Sequence, residues 1–233
     1  MKNHLVVVLC ALALVAVTGC KKNSEEPAKP AATNSNNAAS PAAPAASAAP
    51  APAASSGAVN GSSAETTSKM AAADWALKQD EIKHDANGQW AIQATASSTY
   101  GDAQGAASYS ANQVTGTPNV ESYGDNGNAW APKTENEGIE WLDLKYPKPV
   151  HATEVRVRES CGSGAVIKIE VFDEQGVGHS VWQGNDPTTE LNYLMVKFPK
   201  TTFKTDRVKV TLATNVIPGW NEVDAVQLIG TSE

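Results

Sequence analysis

The chain has 233 residues, with 18 Lys and Arg against 25 Asp and Glu, a net charge of −7. An acidic balance of that size argues against a nucleic-acid partner, which calls for a basic surplus facing the phosphates. All six Trp, five Tyr and three Phe fall between Trp75 and Trp220, which leaves roughly 150 residues to build a core, the size of one domain.

Met1-Lys2-Asn3-His4 is a short basic start, and Leu5 to Val17 is an apolar run. A membrane-spanning helix needs about 20 such residues, so this run is too short to cross and reads as the core of a signal peptide over residues 1–19. Val17-Thr18-Gly19-Cys20 resembles the bacterial lipobox. The resemblance implies cleavage before Cys20, diacylglycerol on its sulfur and an acyl chain on its new amino group. The alternative is an ordinary secretory signal that happens to contain a Cys. Each buried CH₂ stabilises the anchor by about 0.8 kcal/mol, and several chains hold where one does not. Lys21, rather than Asp, follows the Cys, which for a lipobox implies the outer membrane in a Gram-negative cell. With Cys10 removed and Cys20 acylated, Cys161 remains alone, so no intramolecular disulfide forms. It is either a reactive or interchain thiol, or a small buried hydrophobe.

Residues 20–68 are rich in Ala, Pro and Ser, as in Pro41-Ala42-Ala43-Pro44 and Pro50-Ala51-Pro52. Too little apolar bulk is present to offset ordering entropy, and the prolines interrupt any alanine helix. This segment is expected to be a disordered, partly polyproline-II tether with a span of roughly 40 Å. Residues 69–86 have weak helical character, from Ala71 to Ala73, Leu77 and Ile82, with Asn87-Gly88 as the stop.

Residues 87–233 change to a period of two. Val155 and Val157 alternate with Arg156 and Arg158; Ile167, Ile169 and Val171 with Lys168 and Glu170; Val208, Val210 and Leu212 with Arg207, Lys209 and Thr211. Such alternation predicts strands with one face on a core and one in water. Further strands are expected at Trp90–Ala96, Ile139–Lys145, Val177–Gln183, Tyr193–Phe198 and Val223–Ile229, with a hairpin loop at Asp173-Glu174-Gln175-Gly176. Eight short antiparallel strands without a strong helix between them predict an all-β sandwich of jelly-roll type. Residues 101–108 read as a small-residue loop, and 115–132 as a long irregular one of the kind that is functional or held by something.

The run Tyr109-Ser110-Ala111-Asn112-Gln113-Val114-Thr115-Gly116-Thr117-Pro118-Asn119 leads to Tyr123-Gly124-Asp125 and Asn128-Ala129-Trp130-Ala131-Pro132. Glu140-Trp141-Leu142-Asp143-Leu144, Gly164-Ala165-Val166 and Pro218-Gly219-Trp220-Asn221-Glu222-Val223-Asp224-Ala225-Val226 follow. Over about residues 88–231 this resembles the scarf domain of pappalysins, which implies a galactose-binding-like, discoidin-type sandwich. Relatives tend to carry Asn-Pro before the Gly-Ala-Val; here Ser160-Cys161-Gly162-Ser163 stands in that place, so no role is transferred to that loop.

The four His lack metal-ligand spacing, and Gly162-Ser163-Gly164 lacks the flanking glycines of a nucleophile elbow. Glycosidase chemistry needs only two carboxylates, which keeps a hydrolase acting on envelope glycans as the alternative to a binding module. The resemblance also implies a structural calcium where the long loop meets the last strand. Matched by residue, that points to Glu222, with Asp125 from the loop. The competing account has Glu222 and Asp224 capping loop N–H groups or pairing with Arg or Lys. Tyr100, Tyr123 and Trp220 lie in predicted loops, free either to stack on a ligand or to join the core. Trp90, Trp130, Trp141 and Trp182 sit in strand patterns and are expected in the core. The basic run from Lys197 to Lys209 reads as a solvated strand face, or else a patch for acidic glycans or lipid headgroups.

The expectation is a membrane-anchored envelope lipoprotein presenting a non-catalytic binding module, with a glycan or an envelope protein as partner. Cys20→Ser should release the protein from membranes. If the variant still sediments with membranes after a carbonate wash, the lipid anchor is wrong.

Overall fold

A computed structural model describes residues 63–233. The expected signal peptide, Cys20 and the expected tether up to residue 62 lie outside the described residues. The helix α1 spans Ser63–Lys83, so it starts within the stretch expected to be tether. Ala64, Glu65 and Lys69 favour helix there, and Lys69 pairs with Glu65 at 2.8 Å across one turn. Nearly all of α1 is exposed; Ile82, near its end, is the buried residue. Among the described residues no helix is long and apolar enough to cross a membrane.

Eight strands follow: β1 (Gly88–Trp90), β2 (Gln93–Ala96), β3 (Ile139–Cys161), β4 (Val166–Phe172), β5 (Gly178–Gln183), β6 (Asn192–Lys197), β7 (Thr205–Ala213) and β8 (Glu222–Thr231). All pairings are antiparallel. The chain forms the expected antiparallel β-sandwich, but three of the expected strands come out differently. The expected Trp90–Ala96 strand divides, since β1 pairs with β8 while β2 pairs with β3. Conversely, the two expected strands at 139–145 and 155–158 are one. The first half of β3 pairs with β2 and β7, and its second half with β8 and β6. The register shifts between Lys145 and Val150, where Pro147 and Pro149 offer no N–H to a ladder. A strand that bends at such a point can serve both sheets.

The two halves enclose one core. Leu142, Leu144, Val208 and Val210 from one sheet meet Val155, Val157, Val226 and Leu228 from the other, all fully buried. Of the four strand tryptophans, Trp130 alone is fully buried, with its Nε1 donating to the Ser98 carbonyl at 2.9 Å. Trp90, Trp141 and Trp182 are half-buried, and Trp141 lies beneath the Lys209 ammonium at 4.7 Å. Trp182 packs against the core from the side.

The water-facing side expected for Arg156 and Arg158 is covered. They are 8% and 6% exposed. Arg156 bonds Glu154 at 2.9 Å and Asp85, just after α1, at 3.0 Å, and donates to Gln227. Gln227 in turn donates to the Ile82 carbonyl at the end of α1. Arg158 pairs with Asp224 at 3.3 Å, donates to the Val120 carbonyl at 2.9 Å and packs over Tyr193. The end of α1 and the 115–132 loop thus close the outer face of this sheet, a contact that alternation along one strand does not reveal. By contrast, Arg207 in the basic run is held at the surface by Asp143 and Phe172.

Removing one partner of a buried ion pair costs about 3–5 kcal/mol, and 1 kcal/mol moves the melting point of a domain this size by about 2–4 °C. Arg158→Ala should therefore lower the melting temperature by about 10 °C, and Arg158→Met with Asp224→Asn should recover part of the loss. A single variant melting within about 2 °C of the native protein in a circular-dichroism scan would mean that the pair holds nothing.

Candidate functional site

Two irregularities between β3 and β8 build the site. The register steps from Arg158–Ala225 to Glu159–Val223 and then to Cys161–Glu222. Asp224 and Ser160 are the odd residues at these steps, one on each strand. Such bulges bend a strand and re-aim its side chains. Asp224 accepts the N–H groups of Asn119 and Val120 at 3.2 and 3.4 Å in addition to facing Arg158. Glu222, 2% exposed, accepts the N–H of Asn126 at 3.1 Å. The long loop is therefore held from below by two carboxylates of one strand, and from the side by the Trp130–Val223 bridge.

Asp125 is carried next to Glu222, within hydrogen-bond reach of it. It accepts the Tyr109 hydroxyl at 2.9 Å. Tyr109 has φ +63°, a left-handed conformation that costs a non-glycine residue energy, and its N–H donates to the Gly127 carbonyl at 3.0 Å. Tyr100 stands edge-to-face against both Tyr109 (5.1 Å, 70°) and Trp220 (5.2 Å, 89°). These three rings, Ala131 and the two carboxylates line a cavity of about 100 Å³. A separate open hollow of about 410 Å³, lined by sequence neighbours of Tyr100 and Tyr109, includes Thr95, Ser97, Ser98, Thr99, Asp102, Gln104, Ser110 and Asn112. The turn around Tyr100 contributes to both.

The structure thus brings together four of the five residues singled out in the sequence: Tyr100, Trp220, Asp125 and Glu222. Tyr123 stands apart, half-exposed, with its hydroxyl accepting the Gly162 N–H at 3.1 Å. Gly162 has φ +53°, and a Cβ there would meet the Trp220 carbonyl at 2.1 Å, so the Ser160–Ser163 loop packs directly under the site. Sequence reasoning misses Tyr109; its place at the head of the Tyr109–Asn119 run was the one signal. Cys161, opposite Glu222 in register, is half-buried rather than sealed in the core.

The electrostatics follow from burial without a cation. Desolvation first, and Asp125 second, raise the Glu222 carboxyl to about 8. The hydrogen bond to Asp125 pushes the Tyr109 hydroxyl up to about 12. Burial raises the Cys161 thiol, with Glu222 and Asp125 adding to it. Calcium takes six to eight oxygens. Asp125 and Glu222 can supply two carboxylates, while the Asn126 N–H already occupies one Glu222 oxygen. No group of three or more His, Cys, Asp or Glu is arranged around a metal position among the described residues.

A second carboxylate pair lies outside the cavity. Glu159, 2% exposed, accepts the Gly164 N–H at 3.1 Å and meets Asp186 and Thr188. Asp186 Oδ2 is buried with no donor of its own, so a proton from a neutral Glu159 has to satisfy it. Burial first, then Asp186, raises the Glu159 carboxyl to about 9. A carboxyl whose folded value lies above its unfolded one stabilises the fold fully below the ordinary carboxylate range, and loses that contribution as pH rises toward the folded value. Stability in urea should therefore fall between pH 5 and pH 9, by up to roughly 1.4 kcal/mol per pH unit for each such group. Glu159→Gln should flatten the fall. An unchanged slope in the variant would mean that Glu159 ionises normally.

Residues 79–233 match the family described as "Pappalysin-1, SD scarf domain, C-terminal". Among curated proteins no match is found. Solved structures similar to the chain include chitosan-binding module 1 of a chitosanase/glucanase from Paenibacillus sp. IK-5, at 18% identity and a TM-score of 0.44, covering 59% of this chain and 94% of that one. CpGH89CBM32-5 from Clostridium perfringens, solved with GalNAc-β-1,3-galactose, is 16% identical with a TM-score of 0.46, covering 62% and 96%. A Ruminococcus gnavus GH29 fucosidase is 13% identical with a TM-score of 0.44, covering 65% of this chain; the chain spans 27% of the fucosidase's length. The family match takes in all eight strands and every residue of the cavity, and the chain belongs to the pappalysin SD scarf-domain family.

Proposed function

We propose that this domain is a non-catalytic glycan-binding module, carried at the cell envelope on a lipidated Cys20 and an Ala/Pro/Ser-rich tether, in the outer membrane if the cell is Gram-negative. The observation that carries the proposal is the aromatic-walled cavity of Tyr100, Tyr109 and Trp220 with two carboxylates, together with a separate hollow lined by hydroxyls and amides. Sugars offer apolar C–H faces to rings and hydroxyls to polar side chains, and binding sites of this kind fix orientation with few polar groups. The carboxylate geometry supports binding over hydrolysis. Retaining glycosidases hold their pair about 5–5.5 Å apart and inverting ones about 6.5–9.5 Å, whereas Asp125 and Glu222 lie within hydrogen-bond reach of each other.

Calcium is a second reading of the same pair, favoured by the convergence of Asp125 and Glu222. There the ion would bridge the loop and β8 and hold the carboxylates ionised.

The test is a glycan array on the full chain, followed by titration of the best binder with and without chelator. Binding should weaken about threefold to tenfold in Trp220→Ala and Tyr100→Ala, from the lost ring contact. No new reducing ends should form. Binding and melting temperature that both drop on chelation would establish the calcium; equal behaviour would remove it. A silent array together with capture of an envelope protein would overturn the glycan reading in favour of a structural role, and released reducing ends would make the domain a hydrolase.

A further inference from the structure

The cavity carries two carboxylates and no cation. Its lining contains no Lys, Arg or His, and the ion pairs of the described residues involve neither Asp125 nor Glu222. Two other carboxylates of this sheet have cations, Asp224 with Arg158 and Glu154 with Arg156, whereas buried Glu159 is met by the Gly164 N–H and Asp186. The nearest polar partners at the cavity are the Tyr109 hydroxyl and the Asn126 N–H. Around the pair stand three rings at steep mutual angles, 70° and 89°, with centroids about 5 Å apart. The electron-rich faces of perpendicular rings attract a cation, and such cages recognise ammonium groups.

Size narrows the ligand. About 100 Å³ is well below the roughly 300–1,000 Å³ of sites that enclose a drug-sized molecule, and suits one projecting substituent. Neutral sugar hydroxyls would bring no counter-charge to Asp125, which has no ion pair among the described residues. An ammonium group satisfies both the carboxylates and the ring faces at once.

We propose that the cavity is a cage for an ammonium group, and that the glycan it selects is an amino sugar bearing a free amine. This rests on the glycan reading of the same site and names its specificity. Asp125 provides the counter-charge and Glu222 a further oxygen for the N–H groups; Tyr100, Tyr109 and Trp220 provide the cage.

The test uses the full chain in excess chelator, so that no divalent ion occupies the carboxylates, with calorimetry and tryptophan fluorescence as readouts. One arm compares choline with 3,3-dimethylbutan-1-ol, its uncharged carbon analogue. The other compares a glucosamine oligomer with the same oligomer N-acetylated. Choline and the free-amine oligomer should each bind about threefold to thirtyfold more tightly than the neutral partner, the range expected of cation–π contacts. Tyr100→Ala, at a half-exposed ring that does not hold the core, should remove the preference, as should Asp125→Asn, with melting temperature checked in both. Equal affinity for charged and neutral partners overturns the cage. Binding of neutral glycans alone, lost in Trp220→Ala, overturns the cage and leaves the glycan reading standing. Preference for choline with no response to either oligomer keeps the ammonium cage and refutes its amino-sugar ligand. Silence in every arm, with a folded protein, ends both.

Discussion

The pairing of Arg158 with Asp224 beneath the 115–132 loop is the constraint on which the rest of the site depends. Both side chains are almost wholly buried. A charge in that position is tolerated only when paired and hydrogen-bonded, and here the requirement is met by backbone. Asp224 takes the N–H groups of Asn119 and Val120, and Arg158 takes the Val120 carbonyl. The loop is therefore a structural part of the sandwich, filling the polar needs of β3 and β8. Once Val120 is fixed, Asp125 and Asn126 fall beside Glu222, and the ring of Tyr109 is drawn in by Asp125.

The same logic explains why the second sheet is covered on its outer face. Arg156, Glu154, Gln227 and Asp85 form a polar layer between β3, β8 and the end of α1. Buried networks of this kind are stable when each member is satisfied and costly when one is missing. The helix is thus docked through its C-terminal turn, by Ile82 and by backbone capture, while its remaining length stays in water.

Against this background the carboxylates at the cavity are distinctive. Burial raises the Glu222 carboxyl, Asp125 beside it stands exposed to water, and the fold supplies the pair with an N–H and a hydroxyl instead of a cation. In a domain whose residues 80–233 hold 21 acidic and 12 basic side chains, the surrounding field is negative as well. A partly open site with aromatic walls and an unpaired carboxylate favours ligands of the opposite sign.

Much of the architecture was legible in the chain. The period-two runs, the count of eight strands and the loop at 115–132 come from local rules, since alternation reports which face of a strand meets the core. The Tyr109–Asn119 and Pro218–Val226 runs pointed to the family, and Tyr100, Trp220, Asp125 and Glu222 were legible as loop or strand-end residues of the right chemistry. What parity could not show was where the ladder breaks. The bulges that re-aim Asp224 and Ser160 and the proline bend that lets β3 serve two sheets are set by pairing partners far away in sequence. The burial of Arg156 and Arg158 depends on a helix and a loop that no strand pattern encodes. The left-handed backbone of Tyr109, which turns its hydroxyl toward Asp125, is imposed by contacts with Gly127 and Trp130. Sequence determined which residues could form strands and which carried suitable chemistry; tertiary structure alone decided which of them meet, because the cavity is assembled from segments separated by up to 122 positions, from Tyr100 to Glu222.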